Sequence, residues 1–568
     1  MTAFPPFRNP GLARVWPYVP PVLVGIFLRL WNLSGQILLD DEWHSLNFVL
    51  DKSLAEVLTT HGLGANCIPQ NAINWLWLHT IGWSETALVL PSVVCGIAAL
   101  LVFPPLAARL VGRPAGIAFA WFFALSPCAI FYARIARPYA MVIFFGFCAL
   151  LFLALWVRNG RRRYALGYAA SGFAAIYFHI YAALPVLSPL GALFLLALFR
   201  PRLFLQTPWI HCRRIAGLGL MVAIALAAGL GPAHWRNPWW LHVLAQDRVT
   251  WTGAWECVSL FAGTGQAPLK WLFLGLAGWG LRRLFRMDFR IGALFATAWA
   301  SGFLLLVLGS QDGMHAGIQI ARYNIILLPV AWLQAAVALA GGETRRPSAL
   351  ASLPTLLAIL AFAAGSPLGQ TFRAPNNFMH HSAFQESYAP FDWTRSRVRD
   401  LTPLPPMPAD RIPAFYAQAA ARDDVRGIIE YPMFIGHPAN YHYFYQHFHR
   451  KPVAIGYVPD LPLPPLSTRD DFVFVDTPVD YVLGRAHAQG WGRRLRFSNL
   501  VPLTDPERLR RDRSGWLLVV HRDLLQENLD VQMAGTNYLP PVLLPTILGT
   551  ALGPPIFADE QILAWRIP

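Results

Sequence analysis

The sequence predicts a membrane α-helical bundle of about eleven spans, with an α/β domain at its C-terminal end on the outer side. Three observations predict it. Of the 568 residues, 55% are hydrophobic and only 14% are charged, too apolar a balance for an ordinary soluble enzyme. Apolar runs recur through residues 16–365, at or near the ~17–25 residues that a spanning helix needs. From about Ser366 the pattern changes to short strand-like runs that alternate with helical ones.

Residues 1–15 are short and carry Arg8 and Arg14. The first span runs roughly over 16–39. A long loop, 40–85, follows it, with a short helix expected over N-A-I-N-W-L-W-L-H at 71–79. Further apolar runs lie near 86–107, 114–131, 138–157, 164–179, 182–199, 215–231, 268–281, 291–309, 323–340 and 349–365. A second long loop spans 231–267. Residues 366–412 are rich in Pro and polar side chains and read as linker and loops. In 413–568, strands are expected at 426–432, 452–458, 472–476 and 516–521, and helices at 438–450 and 479–489. I-L-A-W-R-I at 562–567 is expected to close the sheet. There is no internal repeat and no Gly-rich phosphate loop, so nothing indicates nucleotide binding.

The net charge of +15 does not indicate nucleic acid, because its Arg residues cluster in short loops between apolar runs. Taken alternately, one set of loops holds Arg8 and Arg14, Arg109 and Arg113, Arg158 to Arg163, Arg200 to Arg214, Arg282 to Arg290, and Arg345 and Arg346. The opposite set is poor in Lys and Arg. The positive-inside rule makes the first set cytoplasmic. The N-terminus is then inside, and residues 40–85, 231–267 and everything after 365 are outside. That is the topology of a multi-pass membrane protein with an extracytoplasmic C-terminal domain. No cleavable signal peptide is evident, since the first apolar run leads straight into an acid triplet. The six Cys show no metal spacing, and 413–568 has none. A Cys67–Cys257 bridge stays open, with free thiols the favoured expectation.

Four polar constellations fall on the outer face. The first is Asp40-Asp41-Glu42, with His44 behind it, where the first span leaves the bilayer. Acids at that depth are costly and mark a functional site by default, although a triplet also simply marks the wet end of a span. A carboxylate there can act as general base toward an acceptor, and paired acids such as Asp41 and Glu42 can hold a divalent cation. The second is Y-A-R-I-A-R-P-Y-A at 132–140. If that segment is helical, Arg134 and Arg137 share a face, and two guanidinium groups suit a phosphate oxyanion. The plain alternative is binding to lipid headgroups. The third is F-H-I-Y at 178–181, with His179 and Tyr181, and the fourth is I-A-R-Y-N at 320–324, with Arg322 and Tyr323. Alone, His179 is an ordinary interfacial residue and Arg322 an ordinary snorkelling one. Arg29, inside the first span, either pairs with the acids or snorkels outward. Carboxylates and cations on one side of a bundle suit transfer from a lipid-linked phosphate donor.

R-L-W-N-L-S-G-Q-I-L-L-D-D-E-W-H-S resembles the first-loop signature of polytopic GT-C glycosyltransferases of the family 39 group. That group contains protein O-mannosyltransferases and the lipid A aminoarabinose transferase. Asp41-Glu42 matches its Asp-Glu pair, with Ser45 following. E-T-A-L-V-L-P-S, S-P-C-A-I-F-Y-A-R-I-A-R-P-Y-A-M, H-I-Y-A and R-Y-N-I-I-L-L-P resemble later motifs in the same order. Segments of 413–568 resemble the extracytoplasmic domains of relatives. There are departures: Ile135 stands where relatives often carry an acid, Val89 where Arg is common, and I-P-Q-N-A-I-N replaces a Pro-Pro-Leu-Tyr-type segment. The first departure bears on metal dependence.

The resemblance implies a glycosyltransferase that takes a sugar from a polyprenyl-phosphate donor, with inversion, and passes it to a lipid, glycan or protein acceptor outside. Asp41 and Glu42 are the expected catalytic residues, and a divalent metal at that pair is the one cofactor considered. Asp40, His44, Arg134, Arg137, Tyr139, His179, Tyr181, Arg322 and Tyr323 are the expected substrate-binding residues. Membrane lipids are partners and nucleic acid is not. Two other classes compete. A flippase for a lipid-linked saccharide prefers charges at the midplane and paired broken helices. A non-catalytic scaffold leaves the outer acids and Arg residues without a role.

Overall fold

The computed structural model describes residues 15–31, 33, 49, 52–61, 67–80, 85–204, 208–236, 249–308, 317–340, 349–366, 368, 414–431, 449, 451, 453–457, 500–502, 506–522 and 543–568. A helix lies over every apolar run named above. They are α1 (Val19–Leu30), α4 (Glu85–Val111), α5 (Arg113–Leu125), α7 (Tyr139–Asn159), α8 (Arg162–Phe178), α9 (Ala183–Phe199), α10 (Pro208–Arg236), α12 (Ala267–Met287), α13 (Phe289–Leu308), α15 (Leu327–Ala340) and α16 (Ala349–Ala364). Shorter helices connect them: α2 (Leu54–Thr59), α3 (Ile68–Thr80), α6 (Pro127–Tyr132), α11 (Trp251–Ala262) and α14 (Gly317–Tyr323). Among the described residues four helices are long and apolar enough to cross a bilayer, or five if α14 and α15 count as one bent span. Trp16–Leu30, Arg113–Leu125, Phe289–Leu304 and Leu353–Ala364 are apolar but shorter.

Three boundaries differ from the sequence expectation. The first span stops as a helix at Leu30, where Trp31 leaves the helical conformation at φ −55° and ψ 122°. The run over 114–131 is two helices, because Pro127 has no N–H and holds Ser126 extended. Ser126 then caps α6 through its hydroxyl, which accepts from the Ala129 amide at 3.4 Å. The run over 323–340 belongs to a helix that breaks, with an 84° bend between α14 and α15.

The helix α7 is apolar all round and mostly buried, so it forms the centre of the bundle. By contrast, Leu220 and Ile224 on α10 and Leu356 and Leu360 on α16 are exposed, the faces a bilayer would cover. Trp332 of α15 pins one side. Its ring stacks on Phe122 at 4.9 Å and meets Phe273 at 4.8 Å and Phe362 at 5.1 Å, joining α5, α12 and α16. All six cysteines are free thiols, so Cys67 and Cys257 are not bridged.

The C-terminal residues build a six-stranded sheet from β1 (Gly427–Tyr431), β2 (Val453–Tyr457), β3 (Leu500–Pro502), β4 (Trp516–His521), β5 (Phe557–Ala558) and β6 (Ile562–Arg566), in the order β3-β2-β1-β4-β6-β5. The first four are parallel, and β6 pairs antiparallel with β4, as Val519 opposite Ala564. Thus 562–567 does join the sheet, but β5 and not β6 forms its edge. Strands β1 and β4 are continuous apolar runs because both faces are covered. Ile429, Leu518, Val520 and Trp565 pack toward Leu509 of α18 (Pro506–Arg513) and Leu548 of α19 (Leu543–Leu552). Ile428, Leu517, Val519 and Ala564 pack toward Phe415 and Ala419 of α17 (Ala414–Ala420). One polar cluster interrupts that second face. The Tyr416 hydroxyl lies 3.0 Å from both Glu430 carboxylate oxygens, and His521 Nε2 lies 2.6 Å from Glu430 Oε2. All three side chains are buried. The strand expected at 472–476, the helix at 479–489 and most of the helix at 438–450 lie outside the described residues, as does nearly all of 366–412.

Candidate functional site

The site is built on the hook between α6 and α7, residues 133–138. It is a turn and not a helix, so Arg134 and Arg137 do not share a helical face as the spacing alone suggested. The helix α4 holds the hook. The Ser92 hydroxyl donates to the Arg137 carbonyl at 3.0 Å. One turn further along the same face, a side chain at Gly96 would come within 2.5 Å of the Ala133 Cβ, so only glycine lets the hook sit this close.

Arg134 is engaged by the end of α1. Its Nη1 donates to the carbonyls of Trp31 at 2.6 Å, Arg29 at 3.2 Å and Leu28 at 3.4 Å. These are the open carbonyls at the end of α1, where a cation is favoured. Arg134 therefore fixes the point at which the chain leaves α1 toward the acid triplet. Arg29 does not snorkel outward. It is fully buried, with Nη1 donating to the Gly25 carbonyl at 2.9 Å and the guanidinium 5.6 Å from the Phe123 ring.

The other described candidates converge. The Arg137 guanidinium lies 6.0 Å from the Tyr139 ring, at the start of α7. The Tyr139 ring lies 5.8 Å from His179, in the break between α8 and α9. His179 lies 5.3 Å from Tyr181 and 5.9 Å from Tyr323, and those two tyrosines are 4.4 Å apart. The Arg322 guanidinium lies 5.6 Å from the Tyr323 ring. Both guanidinium groups sit close enough to the His179 ring to act on it electrostatically. The result is an aromatic wall flanked by two cations. Such a wall offers apolar faces and polar tips to a ligand, and its cations suit an oxyanion.

Asp40, Asp41, Glu42 and His44 lie outside the described residues, but the far end of their loop is anchored. Ser53 and Glu56 form a reciprocal capping box at the start of α2. Trp75 Nε1 donates to the Lys52 carbonyl at 2.8 Å, and Arg236 Nη1 donates to Thr59 Oγ1 at 2.8 Å. His61 Nε2 lies 3.0 Å from His234 Nδ1. Burial first, and the His234 ring second, hold the His61 imidazole down at about 4, so the pair shares its hydrogen bond without a charge. Among the described residues no group of three His, Cys, Asp or Glu side chains is placed to hold a metal ion.

Sequence reasoning missed Ser92 and Gly96. Their signal is a pair of small residues four apart inside an apolar run, P-S-V-V-C-G, the spacing by which buried helices approach other backbone closely. It also missed Glu256, the single acid within 249–269.

No known family profile matches the sequence, and no curated protein matches it. Solved structures do match in shape. ArnT from Cupriavidus metallidurans in the apo state aligns over 98% of this chain and 98% of its own, with a TM-score of 0.55 at 14% identity. The same protein bound to undecaprenyl phosphate aligns equally well, again with a TM-score of 0.55 at 14% identity. The arabinofuranosyltransferase AftD from Mycobacteria aligns over 98% of this chain and 40% of its own, with a TM-score of 0.46 at 14% identity. The chain thus shares the fold of ArnT, a helical bundle followed by an α/β unit.

Proposed function

We propose that this protein is an integral-membrane glycosyltransferase that uses a polyprenyl-phosphate-linked sugar. The observation that carries the reading is the convergence of Arg137, Tyr139, His179, Tyr181, Tyr323 and Arg322, drawn from three separated stretches, into one wall flanked by two cations. The likeness to ArnT, one structure of which holds undecaprenyl phosphate, supports the donor class. The Arg distribution supports a site on the extracytoplasmic side of an inner membrane.

In this reading Arg137 and Arg322 hold the donor phosphate. An acceptor hydroxyl or amine on a lipid, glycan or protein attacks the anomeric carbon from the face opposite the phosphate. Its proton passes to the Asp41 carboxylate. The bond from the anomeric carbon to the phosphate oxygen breaks, the electron pair stays on that oxygen, and the sugar inverts. The two guanidinium groups stabilise the charge that grows there. Glu42, with His44 behind it, orients the acceptor, and Asp41 with Glu42 is where a divalent cation would sit.

Two measurements test this. A charge-assisted contact is worth ~1.5–3 kcal/mol, far more than an exposed headgroup contact. Arg137→Ala is therefore expected to weaken undecaprenyl-phosphate binding by about tenfold or more in protein that still purifies as a monodisperse species. Unchanged binding in both Arg137→Ala and Arg322→Ala would return the two arginines to ordinary headgroup contacts. For topology, alkaline phosphatase fused after residue 400 is expected to be active and a fusion at Arg161 inactive; the reverse pattern would move the site to the other side of the membrane.

A further inference from the structure

The short helix α14 carries Arg322 in its last turn, and its other end is fastened to α11. The amide of Gly317, the first residue of α14, donates to Glu256 Oε2 at 3.1 Å. The backbones touch at the same point. A Cβ on Gly317 would lie 2.2 Å from the Glu256 Cβ and 2.9 Å from the Cys257 amide nitrogen, so no side chain fits there. The partner helix is itself well held. Thr250 caps its start, accepting from the Gly253 amide at 3.0 Å, and Gly263 ends it in the left-handed conformation at φ 71°. The Lys270 ammonium lies 4.3 Å from the Trp255 ring, and the Trp271 ring lies 5.1 Å from that ring, tying α11 to α12.

At its other end α14 breaks into α15 at 84°, so the continuing helix does not fix its direction as a straight helix would. Arg322 stands five residues beyond Gly317, about 8 Å along the axis. The contact at Glu256 therefore sets where the Arg322 guanidinium points. We propose that Glu256 is a positioning residue: by accepting the Gly317 amide it docks α14 on α11 and so aims Arg322 at the lipid phosphate. This inference rests on the assignment of Arg322 to the donor phosphate.

The test is the Kd for undecaprenyl phosphate, measured on the full chain purified in detergent, with the thermal unfolding midpoint of each variant read alongside. Arg322→Ala is expected to weaken binding about tenfold. Glu256→Ala is expected to weaken it about three- to tenfold, and Glu256→Gln, whose amide oxygen still accepts from Gly317, to stay within about twofold of the parent. The double variant Glu256→Ala with Arg322→Ala is expected to bind no more weakly than Arg322→Ala alone, because the first change acts through the second residue. Gly317→Ala, which leaves Glu256 in place but pushes α14 off α11, is expected to match Glu256→Ala, and it carries the test if Glu256→Ala does not fold. A merely structural role would not give this coupling or the rescue by Gln. Were Glu256 acting by its charge, Ala and Gln would both tighten binding to an anion, which overturns the proposal. Losses that add in the double variant overturn it too. A loss in Arg322→Ala with none in Glu256→Ala or Gly317→Ala overturns the positioning role alone. No loss in Arg322→Ala overturns both this inference and the phosphate assignment beneath it.

Discussion

Asp41→Asn is expected to leave the protein folded and to lower turnover by ~10²–10⁴-fold, the usual cost of losing a general base. Asn keeps the size and the hydrogen-bonding capacity of Asp and removes only its basicity. The neighbours serve as internal controls. In an extended segment Asp40 and Glu42 point away from Asp41, and in a helical one the three acids fan out at ~100° intervals. Either way the three acids are not equivalent. The Asp-Glu pair of the resembling family matches Asp41 and Glu42, which leaves Asp40 as the solvated member. Glu42→Gln should therefore be impaired and Asp40→Asn the mildest. The assay is transfer from a defined polyprenyl-phosphate sugar by folded, purified protein. A dead Asp40→Asn beside a near-normal Asp41→Asn would move the base by one residue. Near-normal turnover by all three would remove the mechanism.

The second large effect is expected in the C-terminal sheet. Glu430 is wholly buried on the central strand β1, within 3.0 Å of the Tyr416 hydroxyl and 2.6 Å of His521 Nε2. Removing one partner of a buried hydrogen-bonded ionisable pair typically costs ~3–5 kcal/mol, because the other is left without compensation. Glu430→Ala strips the carboxylate from both Tyr416 and His521 and leaves a cavity between β1 and α17. It is expected to make residues 414–568 of the intact chain sensitive to protease at temperatures where the parent resists. Glu430→Gln keeps an acceptor for the tyrosine and should lose much less. Equal resistance of the Ala variant and the parent would mean that the cluster adds nothing to the sheet.

The pattern of legible and illegible features follows the physics of each element. Spans announce themselves because every residue of an apolar run reports the same environment, so a helix lies over each run. Strands β1, β2, β4 and β6 were legible because a sheet covered on both faces needs short continuous runs such as G-I-I-E-Y and W-L-L-V-V-H. Their order in the sheet was not, since neighbours there are set by crossovers and leave no mark in the runs themselves. The breaks were harder. Pro127 ends α5 visibly, and Pro329, which has no N–H to bond back to Ile325, marks the break between α14 and α15, but neither proline gives the angle of the bend. Arg134 and Arg137 look equivalent in Y-A-R-I-A-R-P-Y, and only the turn between them gives one to the end of α1 and the other to the aromatic wall. His179 carried almost no signal alone, because its significance lies in residues from two other stretches.

With Arg134 engaged by the α1 carbonyls, two guanidinium groups among the described residues, Arg137 and Arg322, stand beside the wall. A sugar-bearing lipid phosphate is a diester with a single negative charge. Once the sugar has left, the same phosphate is a monoester carrying roughly −1.5 to −2 near neutral pH. Two fixed cations match the spent carrier better than the loaded one. In the proposed reaction that difference pulls the chemistry forward, and it also makes the empty lipid slow to leave. The pace of such an enzyme would then be set by how quickly the membrane takes its carrier back, rather than by the bond it breaks.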